Sequence, residues 1–90
     1  MLKGLYKAED RDYSITVEVK EASKSYIITL IENNSRFSLG HIDMIFKNSN
    51  KVLVRKEKSK HGMRIWGDDS FTLYPFKSGI PFYFSKCEKR

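Results

Sequence analysis

Tyr13-Ser14-Ile15-Thr16-Val17-Glu18-Val19-Lys20 alternates without an error, with Tyr13, Ile15, Val17 and Val19 on one side and Ser14, Thr16, Glu18 and Lys20 on the other. Side chains of an extended chain point to opposite faces in turn, so this is a strand with one face buried and one in water. Glu21 to Ser25 then reads as a hairpin connection into Tyr26-Ile27-Ile28-Thr29-Leu30-Ile31, which is β-branched and aromatic and apolar in both registers. That composition predicts a central strand buried on two sides. Asn33-Asn34-Ser35 is a turn signal, because Asn tolerates left-handed backbone and Ser bonds its own main chain.

The chain beyond continues in short segments. Between Arg36 and Lys47 the even positions Ile42, Met44 and Phe46 are apolar with period two, while Leu39, Ile42, Ile45 and Phe46 share a helical face. The strand reading is preferred, and at most one short helix is expected, near 38–47. After the turn Asn48-Ser49-Asn50, Lys51 to Glu57 is a strand that becomes charged as it runs. Lys58 to Gly62 reads as a hairpin loop into Met63-Arg64-Ile65-Trp66. Gly67-Asp68-Asp69-Ser70 turns the chain into Phe71-Thr72-Leu73-Tyr74, which Pro75 ends. A loop to Pro81 precedes a last strand, Phe82-Tyr83-Phe84, and residues 85–90 are expected to be a frayed basic tail. The sum is a mostly β fold: an antiparallel meander of six to seven short strands curled into a small barrel or roll, because an open sheet this small would leave two exposed edges. SH3-like, oligonucleotide-binding and lipocalin-like topologies all fit such a pattern. The core candidates are Tyr13, Ile15, Val17, Val19, Ile28, Leu30, Val52, Val54, Ile65, Phe71, Leu73 and Phe82.

Ninety residues make a single domain spanning 1–90, with 40% apolar and 31% charged residues, an ordinary globular balance. The single cysteine, Cys87, excludes an internal disulfide and a four-thiolate zinc site. The apolar stretches are far shorter than the roughly 20 residues that a membrane-spanning helix needs. The beginning of the chain lacks the apolar run of a secretory signal, so a cytoplasmic protein is expected, with no membrane partner. The lysine- and isoleucine-rich composition is compatible with a short accessory protein of a bacterium or its phage.

The net charge of +6 is uneven: residues 1–45 hold six Lys/Arg against seven Asp/Glu, and residues 46–90 hold eleven against four. The whole excess therefore lies in the second half. Its densest run is Lys51 to Lys60, where five cations face only Glu57. Such a field attracts phosphates, acidic protein surfaces or anionic lipid headgroups, or serves only solubility.

No arrangement for catalysis emerges. His41 and His61 are the only histidines, His61 is separated from Asp68-Asp69 by a predicted strand, and that acidic pair is accounted for by its turn. Neither phosphate-binding loop nor nucleophile elbow is present, so no catalytic residue, metal or cofactor is expected and the protein reads as a binding module.

The basic residues of the second half are interleaved with aromatic ones, the combination that a nucleic-acid platform uses: cations for phosphates and rings for unpaired bases. In strict alternation Arg64, Trp66 and Tyr74 lie opposite Met63, Ile65, Phe71 and Leu73, so filling the core with the second set turns the first outward. The candidate nucleic-acid residues are Arg55, Lys56, Lys58, Lys60, Arg64, Trp66 and Tyr74. The competing structural reading has the loop Phe76 to Pro81 covering Trp66, with Arg64 stacked on its ring. The alternative function is a protein-interaction or adaptor module docking through Phe76, Ile80, Phe82 and Tyr83, with a homodimer through a leftover sheet edge as its variant.

Overall fold

A computed structural model describes residues 2–35, 46, 50–56, 62–74 and 81–87. Seven strands form one antiparallel sheet among these residues: β1 (Gly4–Asp10), β2 (Tyr13–Ala22), β3 (Ser25–Ser35), β4 (Lys51–Arg55), β5 (Met63–Ile65), β6 (Ser70–Leu73) and β7 (Phe82–Lys86). The order across the sheet is β4-β3-β2-β1-β7-β6-β5, curled into a nearly closed barrel. The mostly β barrel read from the sequence is thus the fold, and Phe46 is the one described residue in helical conformation, where the strand reading was preferred. Apart from Phe46, which is buried in the core, the segment 38–47 lies outside the described residues.

The sheet is two meanders joined through the chain's first and last strands, Tyr6 opposite Lys86 and Lys7 opposite Ser85. That junction rests on β1, which the sequence reading missed. In Leu5-Tyr6-Lys7-Ala8-Glu9 the exposed Leu5 and the small, buried Ala8 blur the alternation that Tyr6 and Lys7 follow. The expected hairpin across residues 58–62 is corrected: β4 pairs with β3 and β5 with β6, at the two margins of the sheet. Asn33 and Asn34 are not a turn either. They continue β3 opposite Ile15 and Ser14, after a bulge between Thr16 and Val17 where β3 carries Ile31 as the extra residue. A long partner strand overrides the weak β propensity of Asn.

Nor is β3 buried on two faces. Ile28 is fully buried, Tyr26 and Leu30 pack on the core, and Ile31 is 56% exposed, because the outer face of a barrel meets water. The interior holds most of the expected core together with Leu2, Tyr6, Ala8, Met63 and Phe84. Phe71 is its aromatic centre, stacked on Phe84 at 5.0 Å and edge-on to Tyr6 at 4.9 Å, contacts worth about 0.5–1.5 kcal/mol each beyond their burial. Phe82 packs edge-on against Tyr13 at 5.2 Å. The last strand also extends further than expected: Ser85 and Lys86 belong to β7, and the Cys87 N–H donates to the Leu5 carbonyl at 2.9 Å, so the chain is held through Cys87.

Candidate functional site

Three cross-strand neighbours build the outer face of β5, β6 and β7. Arg64 stands opposite Thr72, and Thr72 opposite Tyr83, so the three side chains form one row on the side away from Met63, Leu73 and Phe82. Trp66 follows Arg64 by two positions and shares its face. Its backbone N–H donates to the Ser70 carbonyl at 3.1 Å, closing the turn Gly67-Asp68-Asp69. Its indole Nε1 donates to Thr72 Oγ1 at 2.7 Å, and the Arg64 guanidinium lies 4.6 Å above the ring. Thr72 is thereby covered to 7% exposure, while Trp66 keeps 52% and Tyr83 54% of their surfaces in water. The result is two large rings and a cation around a satisfied hydroxyl.

The competing reading foresaw Arg64 stacked on Trp66, but the indole remains half in solvent. Tyr74, expected beside Trp66, is half-buried and ties β6 to Gly62 by its backbone N–H at 3.0 Å. Tyr83, opposite Thr72 in the ladder, adds a second exposed ring to the face. The sequence signal was there, since Tyr83 alternates with Phe82 and Phe84, but strand order was needed to set it opposite Thr72. Arg55 is exposed at the end of β4. Lys56 is engaged elsewhere: its Nζ lies 3.1 Å from Glu21 Oε1 and 5.2 Å from the Tyr26 ring centre. That bond holds the Glu21 carboxyl below the usual carboxylate range. Lys58, Lys60, Phe76 and Ile80, like His41 and His61, lie outside the described residues. Phe82, offered as a docking residue, is 1% exposed and belongs to the core, because odd and even positions of β7 face opposite ways.

An open cleft of about 1160 Å³ lies where the start of β1, the end of β2 and the end of β7 meet. Lys3, Lys20 and Lys86 line it against Glu18, Glu21 and Asp69, so the charges balance and select no ligand sign. Inside the core the Tyr6 hydroxyl donates to the Asp68 carbonyl at 3.3 Å, with Lys86 Nζ 5.9 Å over the ring. Burial, and then the nearby Asp69 and Asp68, push the Tyr6 phenol up to about 12. No group of three or more His, Cys, Asp or Glu side chains placed to hold a metal occurs among the described residues. Comparison with protein-family models, with curated proteins and with solved structures finds no match to this chain.

Proposed function

We propose that the outer face of β5, β6 and β7 is a platform for single-stranded nucleic acid, RNA or DNA, and that the protein acts by binding and not by catalysis. The observation that carries this reading is the pair of half-exposed rings, Trp66 and Tyr83, flanking Thr72 on one face with Arg64 beside them. A stacked base is worth about 1–3 kcal/mol on such a ring, and it can stack there only if unpaired, so single strands are favoured over duplex. Thr72 holds the indole in place, which lowers the entropy lost on binding. Arg64 supplies a charge for phosphate or a planar surface for a base, and the net charge of +6 draws the polyanion in. The adaptor reading is weaker: of its four residues, Phe82 is inside the core and only Tyr83 is described at the surface.

The test is a fluorescence titration of Trp66, the single tryptophan, with a short single-stranded oligonucleotide and with a duplex at two salt concentrations. Quenching that is stronger for the single strand and weakens steeply with salt supports the platform. An unchanged signal at low salt removes it.

A further inference from the structure

The outer face of β5, β6 and β7 carries a second row of side chains beside Arg64, Thr72 and Tyr83. The bond from the Trp66 N–H to the Ser70 carbonyl takes the β5–β6 ladder one pair past Ile65 and Phe71, so Trp66 stands opposite Ser70. Ser70 stands opposite Ser85, and Ser85 opposite Lys7 on β1. The row therefore runs over four strands, with an indole at one end, an ammonium at the other and two hydroxyls between. In the row of Arg64, Thr72 and Tyr83 the order is reversed, with the cation on β5 and the ring on β7. Each ring thus has its own cation. Arg64 lies 4.6 Å from the Trp66 ring, and Lys7 is the diagonal neighbour of Tyr83 across β7 and β1, about 7–8 Å away between backbone positions.

Lys7 is not idle in the free protein. Its ammonium lies 3.9 Å from Glu9 Oε2, and both side chains are open to water, 43% for Lys7 and 64% for Glu9. An ion pair this long and this exposed is readily exchanged for another anion. From Trp66 to Lys7 the row crosses three strand spacings, about 14 Å, or roughly four base steps of a stacked strand, so a single nucleotide does not reach both ends. We propose, resting on the reading of this face as a single-strand platform, that the bound strand crosses the sheet from β5 to β1. Lys7, beside the Ser85 hydroxyl, takes a second phosphate at the Tyr83 end, and Glu9 competes with that phosphate for the ammonium. The ligand is then an extended run of several nucleotides, and Glu9 tempers how tightly it is held.

The probe is a single-stranded thymidine octamer, titrated into the full chain and its variants at four salt concentrations and followed by Trp66 fluorescence. Lys7→Gln is expected to weaken binding about threefold or more and to lower the magnitude of the slope of log K against log salt by about 0.7, one phosphate contact on a single strand. Lys24→Gln, the same change of charge in the exposed turn between β2 and β3, should leave the slope in place. Glu9→Gln should tighten binding about twofold, the scale of an exposed ion pair, and the gain should vanish when Lys7→Gln is added. Equal losses for Lys7→Gln and Lys24→Gln, or a Glu9→Gln gain that survives without Lys7, would overturn the proposal. The platform itself would still stand if Arg64→Ala weakened binding in the same titration. No binding by the unaltered chain at low salt would overturn both.

Discussion

The indole N–H of Trp66 donates to the hydroxyl of Thr72 at 2.7 Å, and this one bond both satisfies a covered polar group and fixes the orientation of a ring that is half in solvent. Thr72→Val keeps the shape of the side chain and removes the acceptor. A net loss of about 0.5–1.5 kcal/mol is expected from the broken hydrogen bond, read from urea denaturation. Trp66 emission should shift to the red as its N–H turns to water. Because the ring is then less well positioned, oligonucleotide affinity should fall severalfold, whereas unchanged emission would show that Thr72 does not hold the indole.

A specific face and a diffuse basic field can be told apart by charge. Arg64→Ala should weaken single-strand binding and lower the magnitude of the slope of log K against log salt by about 0.7, the share of one phosphate contact on a single strand. Tyr83→Ala should cost about 1–3 kcal/mol of binding as a lost stacking surface, with the salt slope unchanged. Lys56→Ala should leave both quantities alone, since that ammonium is held by Glu21 and Tyr26. Titrations of the three variants at four salt concentrations check this, and equal losses for Lys56 and Arg64 would mean that a diffuse basic field does the binding.

The strands and their inward faces were legible wherever alternation is clean. Ile15, Val17 and Val19 needed only period two, and filling the core with Phe71 and Leu73 turned Arg64 and Trp66 outward. Pairing was not legible, because nothing local in Tyr6 or Lys7 tells that they lie opposite Lys86 and Ser85, some eighty residues on. The same blindness misassigned the tail and removed β1 from the count. It also hid the site's second ring: Tyr83 sits beside a buried phenylalanine on either side, and only the ladder to Thr72 brings it to Trp66. The Asn33-Asn34 error has a different origin, since local turn preference lost to an extended partner strand.

Gly4 opens β1 with φ at +142°, a backbone that side-chain-bearing residues rarely adopt, and a Cβ there would come within 2.8 Å of Lys86 Cε. The lysine tail can swing aside, but the backbone strain stays. Gly4→Ala is therefore expected to destabilise by about 1–3 kcal/mol, and Gly4→Ala with Lys86→Ala to recover only the small steric part. Chemical denaturation of the single and double variants checks it. Full recovery in the double variant would put the cost in the clash and not in φ.

Alkaline pH should loosen the barrel from the inside. The Tyr6 phenol, wholly buried beside Phe71, is pushed up to about 12, first by burial and then by Asp69 and Asp68. An unfolded chain releases that proton near pH 10, so between pH 10 and 12 the folded state holds the proton that the unfolded state has lost. Stability contributed by the neutral phenol is thus complete below pH 10 and drains away as pH rises through 12. Tyr13, also raised by burial and by Asp10, acts in the same direction. Tyr6→Phe loses the bond to the Asp68 carbonyl, so it should be less stable by about 1 kcal/mol at pH 7. Its stability should also fall less steeply above pH 10. Urea denaturation at pH 7, 9, 10 and 11, followed by circular dichroism for both proteins, measures the two slopes. Parallel declines would mean that Tyr6 does not set the alkaline limit.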